Sequence, residues 1–136
     1  MSDCPFCAIV AGEAPASVVH ETDRTLAFLD INPANPGHTL VVPREHADGL
    51  ADLPERVGQR LFAVGQRVAA ALRETVDPDG INLFLADGAA AGQDVFHVHL
   101  HVVPRHEDDD VVFRASQGRA DRAELDEVAD RLRGER

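Results

Sequence analysis

The chain has 136 residues, with 13 Lys+Arg against 24 Asp+Glu, a formal net charge of −11, and 44% hydrophobic residues. That length suits one compact domain, and the apolar content excludes wholesale disorder. Such acidity repels the backbone of DNA or RNA, the arginines form no basic stripe, and Trp and Tyr are absent, which argues against polymeric nucleic acid and leaves a single nucleotide open.

The opening Met1-Ser2-Asp3-Cys4-Pro5 carries neither the basic region nor the apolar run of a secretion signal. No window approaches the roughly 18 apolar residues of a membrane-spanning helix. The expectation is a soluble cytoplasmic protein without a membrane partner. Residues 4–12 read as a short helix ending at Gly12. Ser17 to Glu21 and Thr25 to Ile31 read as a hairpin around Thr22-Asp23-Arg24. Asn32-Pro33-Ala34-Asn35-Pro36-Gly37 is dense in breakers and marks a loop, after which His38 to Pro43 reads as a third strand.

Leu53 to Val76 has the longest helical period, with Val57, Leu61, Val64, Val68, Ala71 and Leu72 at three- and four-residue steps, and Asp77-Pro78-Asp79-Gly80 ends it. Ile81 to Ala86 and Val95 to Val103 read as strands, the second closed by Pro104 and preceded by the small-residue loop Asp87 to Gly92. Acidic Glu107 to Asp110 reads as a solvated loop, followed by a helix from about Arg119 to Arg133. The fold class is α+β, a largely antiparallel five-stranded sheet with one long helix and short terminal helices. The core spans about residues 4–105 of a single domain, and 106–136 add the acidic loop and last helix.

Three of the seven histidines fall in His97-Val98-His99-Leu100-His101. Strand alternation puts the imidazoles on one side and Val98, Leu100 and Val102 on the other, facing the core, so the register is well determined. An ordinary half-exposed strand is the plain alternative, but three alternating imidazoles point to a metal site or a phosphate-transfer site. A catalytic zinc would use them as ligands around an open position. Phosphoryl chemistry needs one imidazole as nucleophile and donors around the charge. The upstream Gly88-Ala89-Ala90-Ala91-Gly92-Gln93 lets backbone N–H groups approach an anion, with the Gln93 amide as a further donor. Cys4-Pro5-Phe6-Cys7 reads either as a redox pair or as half of a metal site; a redox pair needs a preceding strand, which three residues cannot form.

The run Gly92-Gln93-Asp94-Val95-Phe96-His97-Val98-His99-Leu100-His101-Val102-Val103-Pro104-Arg105 resembles the signature of the histidine-triad (HIT) nucleotide-binding and hydrolase family. Leu26 to Pro33, Gly37 to Pro43 and His46 are similar to that family's N-terminal half. The resemblance implies hydrolysis of nucleoside 5′-phosphoramidates or dinucleoside polyphosphates, with a purine nucleotide as substrate and a homodimer as the assembly. His99 would attack the α-phosphorus, the His97 carbonyl would hold the His99 Nδ1–H, His101 would donate to phosphate oxygens, and His38 would support the triad.

Phe6, Ile9, Phe28 and Ile31 would enclose the base, Asp30 would accept the ribose hydroxyls, and Gly92, Gln93 and Asp94 would lie along the phosphate. A structural zinc would sit on Cys4, Cys7, His46 and His97. The long helix at 54–76 and the strand at 81–86 would form the dimer interface. Two positions depart from the pattern: Ala86 stands where Asn or Gln is common, and Asp94 where Ser or Thr contacts phosphate, so its carboxylate would repel the anion. A low-turnover purine-nucleotide binder and a zinc metallohydrolase using the triad as ligands are the alternatives. His20 and His106 read as surface residues.

Overall fold

A computed structural model describes residues 3–113 and 118–134. Cys4 caps the first helix, α1 (Pro5–Val10): its Sγ accepts the Cys7 N–H at 3.3 Å, and Pro5 brings a helical φ to the first turn. Strands β1 (Val18–Glu21) and β2 (Thr25–Leu29) form the expected hairpin. At its turn Thr22 Oγ1 accepts the N–H groups of Arg24 and Thr25. The second strand stops at Leu29, short of Ile31, because Asp30 Oδ1 accepts the Asn32 N–H at 2.9 Å and turns the chain. After the proline-rich loop come β3 (Thr39–Pro43), the long helix α2 (Glu55–Thr75), β4 (Gly80–Leu85), β5 (Leu100–Arg105) and α3 (Arg122–Gly134).

The sheet has the order β1-β2-β3-β5-β4, and every neighbouring pair is antiparallel. The fifth strand differs from the expected Val95 to Val103. Both neighbours end opposite Leu100, which pairs Val41 and Leu85, so residues 95–99 have no strand beside them. Val98 N–H instead bonds the Ala47 carbonyl in the loop after β3. Pro104 continues the strand rather than closing it, because β3 pairs only as far as Val102 and leaves Pro104 flanked by β4 alone.

Helix α2 lays Leu61, Val64, Val68 and Leu72 on Ala27, Val41, Leu100 and Val102. Gly65 permits this approach, since a Cβ there would lie 3.0 Å from Leu100 Cδ2 and 3.2 Å from Leu83 Cδ2. Gly37 is required twice over: its φ is +101°, and a Cβ would meet Leu72 Cδ2 at 2.9 Å. The opposite face carries Leu26, Phe28, Leu40 and Val42, covered by Phe6 from α1. Pairing of Leu40 with His101 puts the triad on this second face. The half-exposed strand of the plain alternative is not what forms: His97 is 0% and His99 2% exposed, because α1 lies over them.

The acidic stretch is also less solvated than expected. Arg105 grips Asp109 through Nε and Nη2, each at 2.9 Å, and Asn35 Nδ2 and the His106 N–H donate to the same carboxylate. The Arg105 guanidinium, with these other donors, holds the Asp109 carboxyl well below the usual carboxylate range. Among the described residues no helix is long and apolar enough to cross a membrane. Because Leu61 is 2% exposed at the centre of the α2–sheet contact, Leu61→Ala should cost about 2–5 kcal/mol in equilibrium urea unfolding.

Candidate functional site

Two polar constellations share the second face, joined through His97. The first begins at His99. Its Nδ1 lies 2.8 Å from the His97 carbonyl, which can only accept, so the proton is on Nδ1 and Nε2 presents a lone pair. The edge of Phe6 packs on the His99 ring at 5.1 Å between centroids and holds its plane. Asp94 Oδ1 lies 3.7 Å from Nε2 on a side chain that is 82% exposed, so a carboxylate stands beside that lone pair.

A chain of hydrogen bonds sets the remaining imidazoles. Ala34 N–H donates to His38 Nδ1 at 3.0 Å, so the His38 proton is on Nε2. That Nε2–H donates to His101 Nδ1 at 2.9 Å, which leaves His101 with its own proton on Nε2, a donor at the other end of the ring. Phe84 stacks flat on His101 at 4.1 Å and 9°, fixing the direction of that donor. Asp30, His38 and His101 also gather three potential ligand atoms. The Ala34 bond takes the His38 Nδ1 lone pair and keeps a proton on Nε2, so no lone pair remains there for a metal.

Burial leads the causes that shift these groups. His101 is lowered to about 4 by desolvation first, then by His99 and His38. His38 and His97 are lowered as well, again chiefly by desolvation. All three are neutral at pH 7, so the site contains imidazole donors and acceptors without imidazolium charge from these positions.

The second constellation is built from Cys4, Cys7, His46 and His97, whose ligand atoms all lie within 4.8 Å of one another. His97 Nε2–H donates to the Pro43 carbonyl at 2.8 Å, and His46 Nε2–H to Asp48 Oδ1 at 2.6 Å. Both Nδ1 atoms therefore turn lone pairs toward the sulfurs, at 3.3 Å for His46 and Cys7, and 3.4 and 3.5 Å for His97 with Cys4 and Cys7. Zn–S of about 2.3 Å and Zn–N of about 2.0–2.1 Å give a tetrahedral S–N edge of about 3.6 Å, close to these separations. The donor set fits zinc, and each imidazole is oriented by an oxygen acceptor as metal-bound imidazoles usually are.

Other expected positions fall less simply. Gln93 is buried, and its amide N–H groups go to the Asp48 and Val95 carbonyls while its oxygen accepts the Gly88 N–H. The Ala91, Gly92 and Gln93 N–H groups close the tight turn Ala89–Ala91. The N–H groups of Gly88, Ala91, Gly92 and Gln93 and the Gln93 amide are thus committed to shaping the loop. Phe6 and Phe28 are interior and meet edge to face at 5.4 Å, with Ile9 packed beside them, whereas Ile31 is 90% exposed. Ala86 is buried. The triad imidazoles do not converge on one point, since His97 faces the thiols, His99 its own turn and His101 His38, which removes the triad-bound catalytic metal. His20 and His106 are part-buried and lie outside both constellations. Phe84, Ala34 and Asp48 were missed, because only strand register and loop closure bring them to the histidines.

A HIT domain profile matches residues 11–108, well over half of the chain. The chain belongs to the HIT family. It is 44% identical over 116 residues to an uncharacterized HIT-like protein of Borreliella burgdorferi, covering 84% of each. It is 35% identical over 131 residues to the adenylylsulfatase HINT3 of Arabidopsis thaliana, covering 96% of this chain and 66% of that one. Among solved structures, SMU.412c from Streptococcus mutans UA159 superposes with a TM-score of 0.94 at 41% identity, covering 99% of this chain and 86% of the other. A Zn-bound histidine triad family protein from Mycobacterium smegmatis superposes at 0.78 with 44% identity, covering 95% and 97%. The general class is that of a nucleotide-binding hydrolase fold.

The lowered imidazoles carry a pH dependence with a definite sign. Between the unfolded value near 6.5 and the folded value of about 4 for His101, the unfolded chain binds more protons, so stability falls as pH falls through that window. The urea midpoint should be lower at pH 5 than at pH 7.5, and His101→Gln should make that decline shallower.

Proposed function

We propose that the protein hydrolyses a nucleoside 5′-phosphoramidate or dinucleoside polyphosphate at its α-phosphorus, through a nucleotidyl intermediate on His99. The observation that carries this reading is the His99 Nδ1–H bond to the His97 carbonyl, which leaves Nε2 an uncommitted lone pair beside a cluster of neutral imidazoles. In the first step the Nε2–P bond forms, the bond to the leaving group breaks, and a leaving amine takes one proton from solvent water. In the second, water attacks phosphorus, the P–Nε2 bond breaks with its electron pair returning to Nε2, and the proton lost by the attacking water passes to solvent, replacing the one taken in the first step. Dividing the displacement in this way is the advantage of covalent catalysis.

His101 serves as a neutral donor to non-bridging oxygens through Nε2–H. His38, held by Ala34, keeps it in that tautomer. Hydrogen bonding to the oxygens does not require a charged donor, and a donor fixed in advance loses little on reorganisation. Asp30 accepts one backbone N–H and keeps Oδ2 for a ribose hydroxyl. Exposed Ile31 offers apolar surface to a purine.

Cys4, Cys7, His46 and His97 hold a structural zinc in this reading, which ties α1 to the segment bearing the nucleophile and leaves no open position. A homodimer through α2 and the edge strand β4 accounts for the otherwise unpaired outer edge of that strand.

Adenosine 5′-phosphoramidate should be turned over, with a nucleotidyl adduct on His99 seen by intact mass after acid-free quenching. His99→Ala should lower kcat by at least about 10³-fold; wild-type protein that binds AMP but forms no adduct and no product would favour the binding protein instead. Metal analysis should give one zinc per chain, lost in Cys4→Ser with a fall in melting temperature. Retention of that zinc would remove the assignment.

A further inference from the structure

We propose that Asp94 selects the charge of the leaving group: the site accepts nucleotides whose α-phosphate carries a neutral or cationic amine and discriminates against those carrying anionic groups such as further phosphates. This rests on the hydrolase reading and narrows its substrate class.

The geometry comes first. Asp94 Oδ1 stands 3.7 Å from the attacking Nε2, beside its lone pair, and its field reaches His101 as well. A phosphorus ready for attack lies about 3–3.5 Å from Nε2. The carboxylate is therefore within about 7 Å of that phosphorus, inside the Debye length of about 8 Å at physiological salt. The α-phosphate is common to every substrate, so its repulsion by Asp94 slows all of them alike. Discrimination arises only in what is attached beyond it.

Among the described residues no Lys or Arg answers the carboxylate. The chain contains no lysine. Among the described residues Arg105 is bonded to Asp109, Asn82 and Val111, Arg44 to Glu21 and Thr22, and Arg60 is paired with Asp23. Among the described residues no hydrogen bond or ion pair brings an arginine to Asp94, Asp30, His38, His99 or His101. Burial keeps His38 and His101 neutral, so they supply dipoles rather than charge. Asp30 adds a second carboxylate on the same face, 3.5 Å from His38. Polyphosphate leaving groups are normally held by Arg, Lys or a metal ion, and among the described residues no such side chain is placed for that task. A leaving ammonium, by contrast, meets an exposed carboxylate that no arginine among the described residues pairs.

At separations of about 6–10 Å in a partly solvated site, each unit of leaving-group charge should change the rate by about two- to fivefold. The test uses adenosine 5′-phosphoramidates of three amines with equal chain length: 1,3-diaminopropane, propylamine and β-alanine, whose free ends are cationic, neutral and anionic. Diadenosine triphosphate is the fourth substrate. The kcat/KM values of the wild type should fall in that order, spread by about tenfold between diamine and β-alanine, and the spread should shrink at high salt. Asp94→Asn should collapse the spread, and Asp94→Glu should preserve it. A flat series in the wild type, or an order unchanged in Asp94→Asn, overturns the proposal while turnover itself leaves the hydrolase reading standing. Absence of turnover and of a His99 adduct with all four substrates overturns both.

Discussion

The structure of the site hangs on how His97 is held. Its side chain donates Nε2–H to the Pro43 carbonyl and turns Nδ1 to two thiols, and its own carbonyl receives the His99 Nδ1–H. One residue thus orients the cysteine centre on one side and the candidate nucleophile on the other. A shift of the His97 backbone would alter the direction of the His99 lone pair directly, since the two are joined by one hydrogen bond of 2.8 Å. Phe6 reinforces the link, because its ring meets both imidazoles edge to face and belongs to the helix that begins at Cys4.

This explains why residues 97–99 lie outside regular strand pairing. Within a paired strand, their backbone groups would be bound to neighbouring strands and the His97 carbonyl would be drawn into the ladder. Ending the pairing at Leu100 leaves that carbonyl for the His99 ring and lets Val98 reach the Ala47 carbonyl, which brings the loop carrying His46 alongside. Beyond Leu100 the pairing resumes and fixes His101 against Phe84 from β4 and opposite Leu40 from β3. The transition from free to paired backbone falls inside the triad itself.

Much of this was legible in the sequence, and the unread part has a common cause. Alternation in His97 to Val102 correctly separated the core-facing residues from the imidazoles, because a period of two survives the change from paired to unpaired extended chain. The long helix was readable from Leu61, Val64, Val68 and Leu72, whose spacing reflects only its own face. The burial of His97 and His99 was not readable, since it depends on a six-residue helix almost ninety residues upstream folding over them. The same holds for Gln93, whose amide looked like a donor for an anion and is bound to Asp48 in another loop. Asp109 sits in what reads as a solvated acidic run, yet it is gripped by Arg105 and Asn35. In each case a polar group that composition assigns to water or ligand is taken by a partner distant in sequence, because a buried polar atom must be satisfied and the fold supplies what lies nearest.

The charge of the chain bears on the chemistry in the same way. A protein at −11 that handles a phosphate needs either a local concentration of cations or a site in which the anion is met by oriented neutral donors. The hydrogen-bond chain from Ala34 through His38 to His101 is of the second kind: a backbone amide sets one tautomer, which sets the next, and the last N–H faces outward without carrying charge. Such donors bind an anion less strongly than arginine would, so in the proposed reaction release of a nucleoside monophosphate is less hindered. They are also insensitive to pH above their depressed titration range, which for His101 is centred near 4. A neutral cradle has one consequence that a cationic one lacks. Any fixed charge at its rim, such as the carboxylate of Asp94, acts on the incoming molecule without being cancelled from within.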